Sequence, residues 1–366
     1  MIEIPVDLGD RGYTITIGHG AAGLIPEVLA ALRGRRIVVV SSRRVWALHG
    51  ARLHRSLRRL GPVSPALVKD GERHKDRASL NAVHDAFVEA RLGRDGLVVA
   101  FGGGMVGDLA GFAAATYMRG VMWVQVPTTL LAMVDSAVGG KVGINHPLAK
   151  NLIGAFHQPK AVVTDPSFLA TLPPREVRSG AYEVVKSGVI GDRELFQAMS
   201  NAPRGLTGWG RVEIENAIAS ACRVKAEVVE KDEREDGLRR VLNLGHTLGH
   251  ALEAATRYRR FTHGEAVGWG LIGASWIARE RAMISEAVFD AISAAVDRLG
   301  PRPRISDLRS RAILEPLARD KKARDGKVAF VLPAGIGRVA VRRDVERREI
   351  ERALKVMASR EARLTD

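Results

Sequence analysis

The chain has 366 residues, a formal net charge of +15 and a single cysteine, Cys222. That length is more than one ordinary hydrophobic core needs and predicts two domains, while one cysteine excludes an intramolecular disulfide framework and a cysteine-rich zinc module. No uncharged apolar run reaches the roughly 18 residues of a membrane span, and the N-terminus lacks the pattern of a secretory signal, so we expect a cytoplasmic protein with no membrane association.

The first half of the chain alternates apolar runs with helical patterns. The opening "MIEIPVDLGDRGYTITIGHG" predicts a strand or hairpin, and "RRIVVVSS" and "GLVVAFGGG" are near-continuous apolar runs typical of buried parallel strands. The segment "SLNAVHDAFVEARL" predicts an intervening helix, and "VMWVQVPTT" predicts another strand that ends at Pro127. These elements predict an α/β, Rossmann-like nucleotide-binding domain over residues 1–167, whose ligands gather at the carboxyl ends of its strands.

A glycine pattern follows one of these strands. "VVAFGGGMVGDLAGF" matches G-x-G-x-x-G at Gly102, Gly104 and Gly107, where backbone amides can approach a pyrophosphate at a helix N-terminus. The acidic residue expected about 20 positions later is missing, so a turn needed only for packing explains the pattern equally well. Upstream, "DGERHK" offers Glu72 and Lys75 to a nucleotide.

A denser group of polar residues lies in "QVPTTLLAMVDSAVGGKVGINHPLAKNLIGAFHQP". A core segment would not collect so many charged and amide side chains, because buried charge is costly unless it is paired. A solvated loop would rarely carry as much apolar sequence as "LLAMV" and "LIGAF". We therefore favour an anion-binding site. The polar and glycine residues concerned are Thr128, Thr129, Asp135, Gly139, Gly140, Lys141, Asn145, Lys150 and Asn151.

Helical patterns dominate from residue 168 onward and predict a mainly α-helical domain over residues 168–366. The prolines of "TDPSFLATLPPRE" suit a hinge before it, and "KVAFVLPAGIGRVAV" predicts a late hairpin. In "RVAVRRDVERREIERALKVMASR" arginines and acids interleave on a predicted solvated helix. The basic excess favours an anionic small molecule as partner. Nucleic-acid binding is not expected, because no aromatic residues alternate with the basic ones.

Three histidines, His246, His250 and His263, lie within "LNLGHTLGHALEAATRYRRFTHGEA". The first two are four apart and share a helix face, but Thr247 stands where a His-Glu-x-x-His protease has its general base. Glu183 with two of the three histidines would make a catalytic zinc site with an open position. The alternatives are structural histidines and, for Glu183 with Lys186, an ordinary surface salt bridge.

Taken together, the sequence resembles the 3-dehydroquinate synthase family of sugar phosphate cyclases. The resemblance spans roughly residues 70 to 333, and its motifs occur in the family's order. They are "DGERHK", "GGGMVGDLAGFAAATYMRG", "VPTTLLAMVDSAVGGKVGINHPLAKNLIGAFHQP", "EVVKSGVI", "KAEVVEKDERE", "RRVLNLGHTLGHALE", "THGEAV" and "DKKARDGKVAFVLP".

The resemblance implies a role for each matching residue. It implies that Zn²⁺ or Co²⁺ binds to Glu183, His246 and His263, with His250 as a nearby catalytic group. Further catalytic positions are Lys186, Asp135, Lys141 and Lys225. The implied NAD contacts are Asp70, Gly71, Glu72, Lys75, Gly104, Met105, Val106, Gly107, Asp108, Thr128, Thr129, Lys141, Lys150, Phe168, Leu169, Ala170 and Thr171. The implied substrate contacts are Arg119, Asn151, Arg239, Asn243, Lys321 and Lys322, and Arg119 is expected to act across a homodimer.

The implied reaction converts 3-deoxy-D-arabino-heptulosonate 7-phosphate to 3-dehydroquinate and phosphate, in the shikimate pathway of aromatic amino acid biosynthesis. It proceeds by transient oxidation with NAD, phosphate elimination, re-reduction and intramolecular aldol closure. Two alternatives stay open. Another cyclase, of the 2-deoxy-scyllo-inosose or 2-epi-5-epi-valiolone type, would leave Arg239 and Asn243 without a carboxylate to bind. A metal-dependent polyol dehydrogenase would release no phosphate.

The chain departs from the family pattern beside the expected cofactor. Met133, Ala137 and Val142 stand where the family commonly has polar residues. Ser42 and Arg44 stand where an acid or amide often meets the adenosine ribose. These departures bear on nucleotide affinity and on the choice between NAD and NADP, whereas the implied metal ligands are intact.

Overall fold

The computed structural model describes residues 1–203, 206, 208–321 and 328–361, without the side chains of 316 and 318–321. The strands are β1 (Ile2–Val6), β2 (Tyr13–Ile17), β3 (Ile37–Ser42), β4 (Val63–Val68), β5 (Leu97–Gly102), β6 (Met122–Pro127), β7 (Lys141–His146), β8 (Ala149–Phe156), β9 (Ala161–Thr164), β10 (Phe330–Pro333) and β11 (Val339–Arg342). The α-helices are α1 (Ile25–Val28), α2 (Arg43–Leu57), α3 (Arg77–Glu89), α4 (Gly104–Thr116), α5 (Pro174–Gly191), α6 (Arg193–Asn201), α7 (Arg211–Lys231), α8 (His246–Ala255), α9 (His263–Glu280), α10 (Glu286–Arg298), α11 (Ser310–Lys321) and α12 (Arg347–Ser359).

A seven-stranded sheet in the order β1-β2-β9-β6-β5-β3-β4 forms the centre of the first part of the chain. All neighbouring strands pair in parallel except β1, which joins the edge antiparallel to β2. Every residue of β3 and β5 is buried, which is why these strands are continuous apolar runs rather than alternating ones. The opening hairpin and the parallel strands confirm the prediction from the sequence.

The order of the strands gives this sheet a switch point, where strands on either side are connected in opposite directions. Strand β3 has β4 on one side and β5 on the other, so the chain reverses its direction of travel across the sheet between β3 and β5. Doubly wound sheets bind ligands outside the carboxyl ends of their strands at such a point. The glycine pattern that begins at Gly102 follows β5 directly and therefore lies at this edge.

The chain divides into two compact units. The first comprises Met1–Leu172 with Arg211–Glu233, and the second comprises Pro173–Gly210 with Arg234–Asp366. Helix α7 thus packs in the unit of the parallel sheet, although it follows α5 and α6 in sequence. The division into an NAD-binding domain over 1–167 and a metal- and substrate-binding domain over 168–366 is a functional one and stays a prediction.

The second unit is mainly helical around α9. Residues Gly264 to Ala278 of this helix are all buried, as expected for a helix that others surround. Strands β10 and β11 form the predicted late hairpin. Helix α12, predicted to be solvated, buries Ile350, Ala353, Leu354 and Met357 on one face and is therefore amphipathic.

An α/β unit with a parallel sheet and a mainly helical unit confirm the predicted fold class. Over the part of the chain that the structure describes, none of the helices is both apolar enough and long enough to cross a bilayer.

Candidate functional site

Helix α5 holds the first candidate metal ligand. Glu183 is 1% exposed and Lys186 is 2% exposed, and the Lys186 ammonium pairs with the Glu183 carboxylate one turn away. Because both side chains are buried, the surface salt bridge considered for this pair is excluded. A buried carboxylate beside a single lysine can still offer an oxygen to a cation, since a carboxylate has two oxygens with several lone pairs.

The start of helix α9 brings His263 to Glu183. Thr262 and Glu265 form a capping box at this terminus, and Arg175 of α5 binds both carboxylate oxygens of Glu265 at 2.7 Å. The amide of Gly264 donates to the Ser179 hydroxyl at 3.1 Å. These contacts tie the first turn of α9 to the part of α5 one to two turns before Glu183, so the site is built on two docked helices.

Helix α8 supplies His246 through an equally close approach. The residue before it, Gly245, caps the helix at φ +78°, a conformation that favours glycine. At Gly270 of α9, an added Cβ atom would lie 1.8 Å from the carbonyl oxygen of Gly245. Small residues on both helices therefore allow the backbones to approach, and this approach places His246 beside the start of α9.

Three ligand atoms converge where these helices meet. Oε1 of Glu183 lies 3.3 Å from Nε2 of His263 and 3.7 Å from Nε2 of His246, and the three ligand atoms all lie within 4.8 Å of one another. Two ligands about 2.0–2.2 Å from one tetrahedral ion are roughly 3.3–3.6 Å apart. The 3.3 Å separation lies in this range and the 3.7 Å separation is about 0.1 Å longer, so a small adjustment brings both to a single ion. Two imidazoles and one carboxylate are also the donor set of catalytic zinc sites, which keep one position open.

The environment of His246 prepares its Nε2 atom to be a ligand. Nδ1 lies 3.1 Å from the carbonyl oxygen of Leu244, so Nδ1 carries the proton and Nε2 keeps its lone pair. Burial, together with the nearby Lys186 ammonium, lowers the pKa of His246 to about 3. The imidazole is therefore neutral at physiological pH, as a metal ligand must be.

His263 lies between two carboxylates. Its Nε2 faces Glu183, and its Nδ1 is 3.5 Å from Oε2 of Glu253. Burial opposes the charged form of this imidazole, but the interactions with Glu183 and Glu253 outweigh burial and raise its pKa to about 10. A cation at Nε2 must therefore displace a proton from His263.

His250 lies one turn along α8 from His246 and is exposed. Its ring centroid is 5.3 Å from that of His246 and 5.9 Å from that of His263. The structure thus brings all three histidines together. The buried Glu253 was missed by the sequence analysis; the available signal was its spacing, since His246, His250 and Glu253 recur at four and three residues on one face of α8.

In the first unit, the predicted nucleotide segments follow the carboxyl ends of four parallel strands. Asp70 to Lys75 follow β4, Gly104 to Asp108 form the first turn of α4 after β5, Thr128 and Thr129 follow β6, and Phe168 to Thr171 follow β9 in the 3₁₀ helix Pro166–Thr171. This common edge is where the fold class binds its ligands.

A polar cluster centred on the buried Lys75 links two of these segments. Lys75 is 3% exposed, and its ammonium pairs with the Asp108 carboxylate and donates to Oδ1 of Asn151 at 2.5 Å. Burial raises the pKa of Asp108, and the Lys75 charge counteracts that rise. Asn145, one of the residues of the expected anion-binding segment, connects Glu72 to this cluster. Its Nδ2 donates to Oε1 of Glu72 at 2.8 Å, and its Oδ1 accepts from the amide of Asn151 at 2.9 Å.

Asp135 and Lys225 form a second pair in the same unit. Asp135 lies on a π-helical turn, Ala132–Ser136, and Lys225 lies on α7. Nζ of Lys225 donates to Oδ1 of Asp135 at 2.5 Å and to its carbonyl oxygen at 2.7 Å. One turn before Lys225, the buried Cys222 thiol donates to the carbonyl oxygen of Met133, and burial raises its pKa to about 12.

The remaining predicted residues are spread over both units. Lys141 begins β7, Lys150 and Asn151 lie on β8, and Arg119 follows α4 at φ +68°. In the second unit, Arg239 is 2% exposed and shares the 3₁₀ helix Leu238–Asn243 with Asn243, whose Nδ2 donates to Oε1 of Glu235 at 3.1 Å. Lys321 is the last residue of α11, and Lys322 lies outside the described residues.

The departures from the family pattern have simple structural roles. Met133 and Ala137 are fully buried, and Val142 is 5% exposed. The hydroxyl of Ser42 accepts a hydrogen bond from the amide of Val45 and so caps α2. Four of the five departures are therefore core or capping residues, whereas Arg44 is exposed on α2.

Comparison with known proteins agrees with this architecture. The model of the 3-dehydroquinate synthase N-terminal domain matches residues 65–179, and that of the C-terminal domain matches residues 180–323. A 3-dehydroquinate synthase of Gloeobacter violaceus is 46% identical, with 98% of this chain and 99% of that protein aligned.

Two solved structures are also similar. One is a 2-epi-5-epi-valiolone synthase from Streptomyces hygroscopicus with NAD⁺ and Zn²⁺ bound, at a TM-score of 0.88 and 29% identity over 95% of this chain and 97% of that one. The other is a 2-deoxy-scyllo-inosose synthase complexed with carbaglucose-6-phosphate, NAD⁺ and Co²⁺, at a TM-score of 0.88 and 25% identity over 97% and 100% of the two chains. Matches that span both halves of the sequence establish that the chain belongs to the 3-dehydroquinate synthase family.

Proposed function

We propose that this enzyme converts 3-deoxy-D-arabino-heptulosonate 7-phosphate to 3-dehydroquinate and phosphate, as a step of the shikimate pathway. The observation that carries the proposal is the convergence of Glu183, His246 and His263 on one point, in a chain 46% identical to a named 3-dehydroquinate synthase. The reaction needs reversible oxidation of a hydroxyl group, loss of phosphate, and ring closure, and the proposed residues divide this work between them.

Glu183, His246 and His263 would hold Zn²⁺ or Co²⁺, and the neutral Nε2 of His246 suits that role. When bound, such an ion supplies a Lewis acid that polarises a hydroxyl or carbonyl oxygen of the substrate. Support for the choice of metal comes from the related cyclases whose structures contain Zn²⁺ and Co²⁺. Buried Lys186 would keep a positive charge beside the carboxylate and favour an anionic substrate.

The segments that follow β4, β5, β6 and β9 would hold NAD, with Lys141 and Lys150 as further contacts. The first turn of α4 offers backbone amides to a pyrophosphate. NAD supplies the acceptor and donor of the hydride, and related cyclases contain it. In this arrangement the ion pair of Lys75 with Asp108 would fix the loop after β4 against α4.

The substrate carries a carboxylate and a phosphate, and two groups of residues would bind them. Arg239 with Asn243 would hold the carboxylate, because a guanidinium matches the planar, bidentate geometry of that group. Arg119, Asn151 and one lysine of the pair Lys321 and Lys322 would hold the phosphate. The proton-transfer groups would be His250, whose exposed imidazole can accept or donate, and the lysines and carboxylate at Lys141, Lys225 and Asp135.

A second candidate function is cyclisation of a neutral sugar phosphate. Its support is the structural similarity of this chain to the valiolone and scyllo-inosose synthases. Phosphate release should therefore be measured with NAD and metal on the heptulosonate phosphate, on glucose 6-phosphate and on sedoheptulose 7-phosphate. The proposal expects turnover only with the heptulosonate phosphate. Turnover of a neutral substrate at a comparable kcat/KM would reassign the chain within the cyclases.

We also propose that the protein is a homodimer whose interface includes the β7–β8 hairpin. Leu148, Leu152 and Phe156 of this hairpin are 88%, 65% and 45% exposed, and several large apolar side chains exposed on one hairpin suit an interface that covers them. Leu152→Glu should shift the sedimentation coefficient to that of a monomer, whereas Val212→Glu, at an equally exposed valine of α7, should not. A dimeric Leu152→Glu protein would argue against this interface.

A cytoplasmic location accords with this function, because the cytoplasm supplies both NAD and phosphorylated sugar acids. Fractionation of the producing cells tests it, with the protein expected beside soluble cytoplasmic enzymes.

A further inference from the structure

We propose that Glu253 is a positioning residue for the metal centre, which fixes the ring orientation and the tautomer of His263. This inference rests on the proposed metal site and adds a residue that does not itself contact the metal. Glu253 lies on α8 and His263 begins α9, so the contact joins the two helices that supply the histidine ligands.

The geometry around His263 carries the inference. Nε2 of the imidazole faces Glu183 at 3.3 Å, and Nδ1, on the opposite side of the ring, faces Oε2 of Glu253 at 3.5 Å. Glu253 is 3% exposed although it is an acid, and acids are rarely fully buried unless their charge is paired or binds a metal. A movement of about half an ångström would bring the two atoms to the length of a formed N–H···O bond.

The chemistry gives the two sides of the ring different roles. An N–H that donates from Nδ1 to Glu253 leaves the lone pair on Nε2, where a metal ion would bind. A carboxylate in this place also increases the basicity of the imidazole and prevents the ring from turning. His246 is oriented in the corresponding way by the carbonyl oxygen of Leu244. Each proposed histidine ligand therefore has an acceptor on its Nδ1 side, one neutral and one anionic.

A different arrangement of the same residues competes with this one. His250, Glu253 and His263 also have ligand atoms within 4.8 Å of one another, so Glu253 would instead be a ligand of a second ion. We favour the positioning role because two of the three residues in the group Glu183, His246 and His263 are buried. In the competing group only Glu253 is buried, and His250 is exposed. The two roles predict different metal stoichiometries.

The test compares Glu253→Gln and Glu253→Ala with the unchanged full-length chain. Co²⁺ affinity is measured against a competing chelator at three pH values, which separates the effect of protons on the ligands from the affinity itself. The visible spectrum of the Co²⁺ protein is also recorded. Glu349→Gln is the control, because it removes the charge of a partly buried carboxylate outside the metal site. Glu349 accepts two hydrogen bonds of 2.7 Å from Arg281.

Glu253→Ala should bind Co²⁺ about 10–100-fold more weakly and change its visible spectrum, since loss of an oriented outer partner has that effect on other metal sites. Glu253→Gln, which keeps a hydrogen-bond acceptor without the charge, should fall between the alanine variant and the unchanged chain. Glu349→Gln should keep both the affinity and the spectrum.

Three results would overturn the inference. Unchanged affinity and spectrum in both folded Glu253 variants would leave the metal site intact and remove the role of Glu253 alone. Two Co²⁺ per unchanged chain, reduced to one in the variants, would make Glu253 a ligand. Absence of tight Co²⁺ binding by the unchanged chain would remove the metal site, and the role of Glu253 with it.

Discussion

Gly264 packs so closely against Ser179 that a Cβ atom at position 264 would lie 1.9 Å from the Ser179 carbonyl oxygen. Ser179 precedes Glu183 by one turn of α5, and Gly264 follows His263 directly. The contact between a glycine and a backbone carbonyl therefore sets the separation of two proposed metal ligands.

Gly264→Ala should consequently lower both stability and metal affinity. A backbone carbonyl cannot move aside as a flexible side chain can, so α9 must shift, at a cost of about 1–3 kcal/mol or more. Thermal unfolding and Co²⁺ titration measure the two effects. Gly23→Ala is the control, because a Cβ there meets no atom within 4 Å. Equal Co²⁺ affinity in Gly264→Ala and the unchanged chain would contradict the role given to this contact.

The metal site was only partly predictable from the sequence. Spacing placed His246 and His250 on one helix face and left open which two of the three histidines bind a metal; only the family resemblance chose His246 and His263. The structure supplies a physical reason, because His246 is buried with its Nδ1 facing a carbonyl oxygen, whereas His250 is exposed. Burial of this kind depends on how α8 packs on α9, which spacing does not report.

The fold was predictable where local pattern determines it. Buried parallel strands are continuous apolar runs, so β3 and β5 were identified correctly. The placement of α7 in the first unit was not predictable, because a helical pattern does not show which sheet or helix the segment packs against. Its contacts with the turn at Met133 and Asp135, through Cys222 and Lys225, join residues far apart in sequence.

Removal of the buried Lys75 cation should destabilise the first unit. Lys75→Met leaves the Asp108 carboxylate without its ion partner. Loss of one member of a fully buried pair costs about 3–5 kcal/mol, and we expect about 2–4 kcal/mol here because the Asp108 carboxylate is about one-fifth exposed and partly screened by solvent. The double variant Lys75→Met with Asp108→Asn should recover part of that loss, because no uncompensated charge remains. Denaturant unfolding measures both. A double variant no more stable than Lys75→Met would contradict the pairing.

The Lys75→Met deficit should also depend on pH. Without Lys75 the folded-state pKa of Asp108, already raised by burial, rises further above its unfolded value of about 3.9. A raised carboxyl pKa destabilises the folded state above that pKa, and the penalty disappears as the pH falls towards the unfolded value. The stability difference between Lys75→Met and the unchanged chain should therefore shrink between about pH 7 and pH 4. A constant difference would contradict this account.

Metal binding should release a proton from His263. Its pKa of about 10 in the metal-free chain means that the imidazole is protonated at pH 7.5, whereas a ligand must be neutral. Titration calorimetry in two buffers with different ionisation enthalpies should report about one proton released per Co²⁺, and affinity should rise about tenfold per pH unit below pH 9. A binding enthalpy that is the same in both buffers would refute the predicted protonation.

Arg239 should discriminate acid substrates from neutral ones. Arg239→Ala should weaken binding of the heptulosonate phosphate by about 2–5 kcal/mol, if the guanidinium pairs with a desolvated carboxylate. Arg239→Lys keeps the positive charge but loses the planar, bidentate guanidinium. Its affinity for the heptulosonate phosphate should lie between those of Arg239→Ala and the unchanged chain. Arg240→Ala, at a neighbouring arginine that donates to the carbonyl oxygen of Asp236, is the control and should bind normally. Unchanged affinity in Arg239→Ala would remove this residue from the substrate site.

The most direct test of the account is phosphate release from 3-deoxy-D-arabino-heptulosonate 7-phosphate after the metal has been removed by a chelator and then restored. We predict that removal abolishes turnover, that about one equivalent of Zn²⁺ or Co²⁺ per chain restores it, and that a folded His263→Ala chain is not restored. Undiminished phosphate release by chelator-treated protein that retains almost no metal would contradict the proposal that Glu183, His246 and His263 form the catalytic centre.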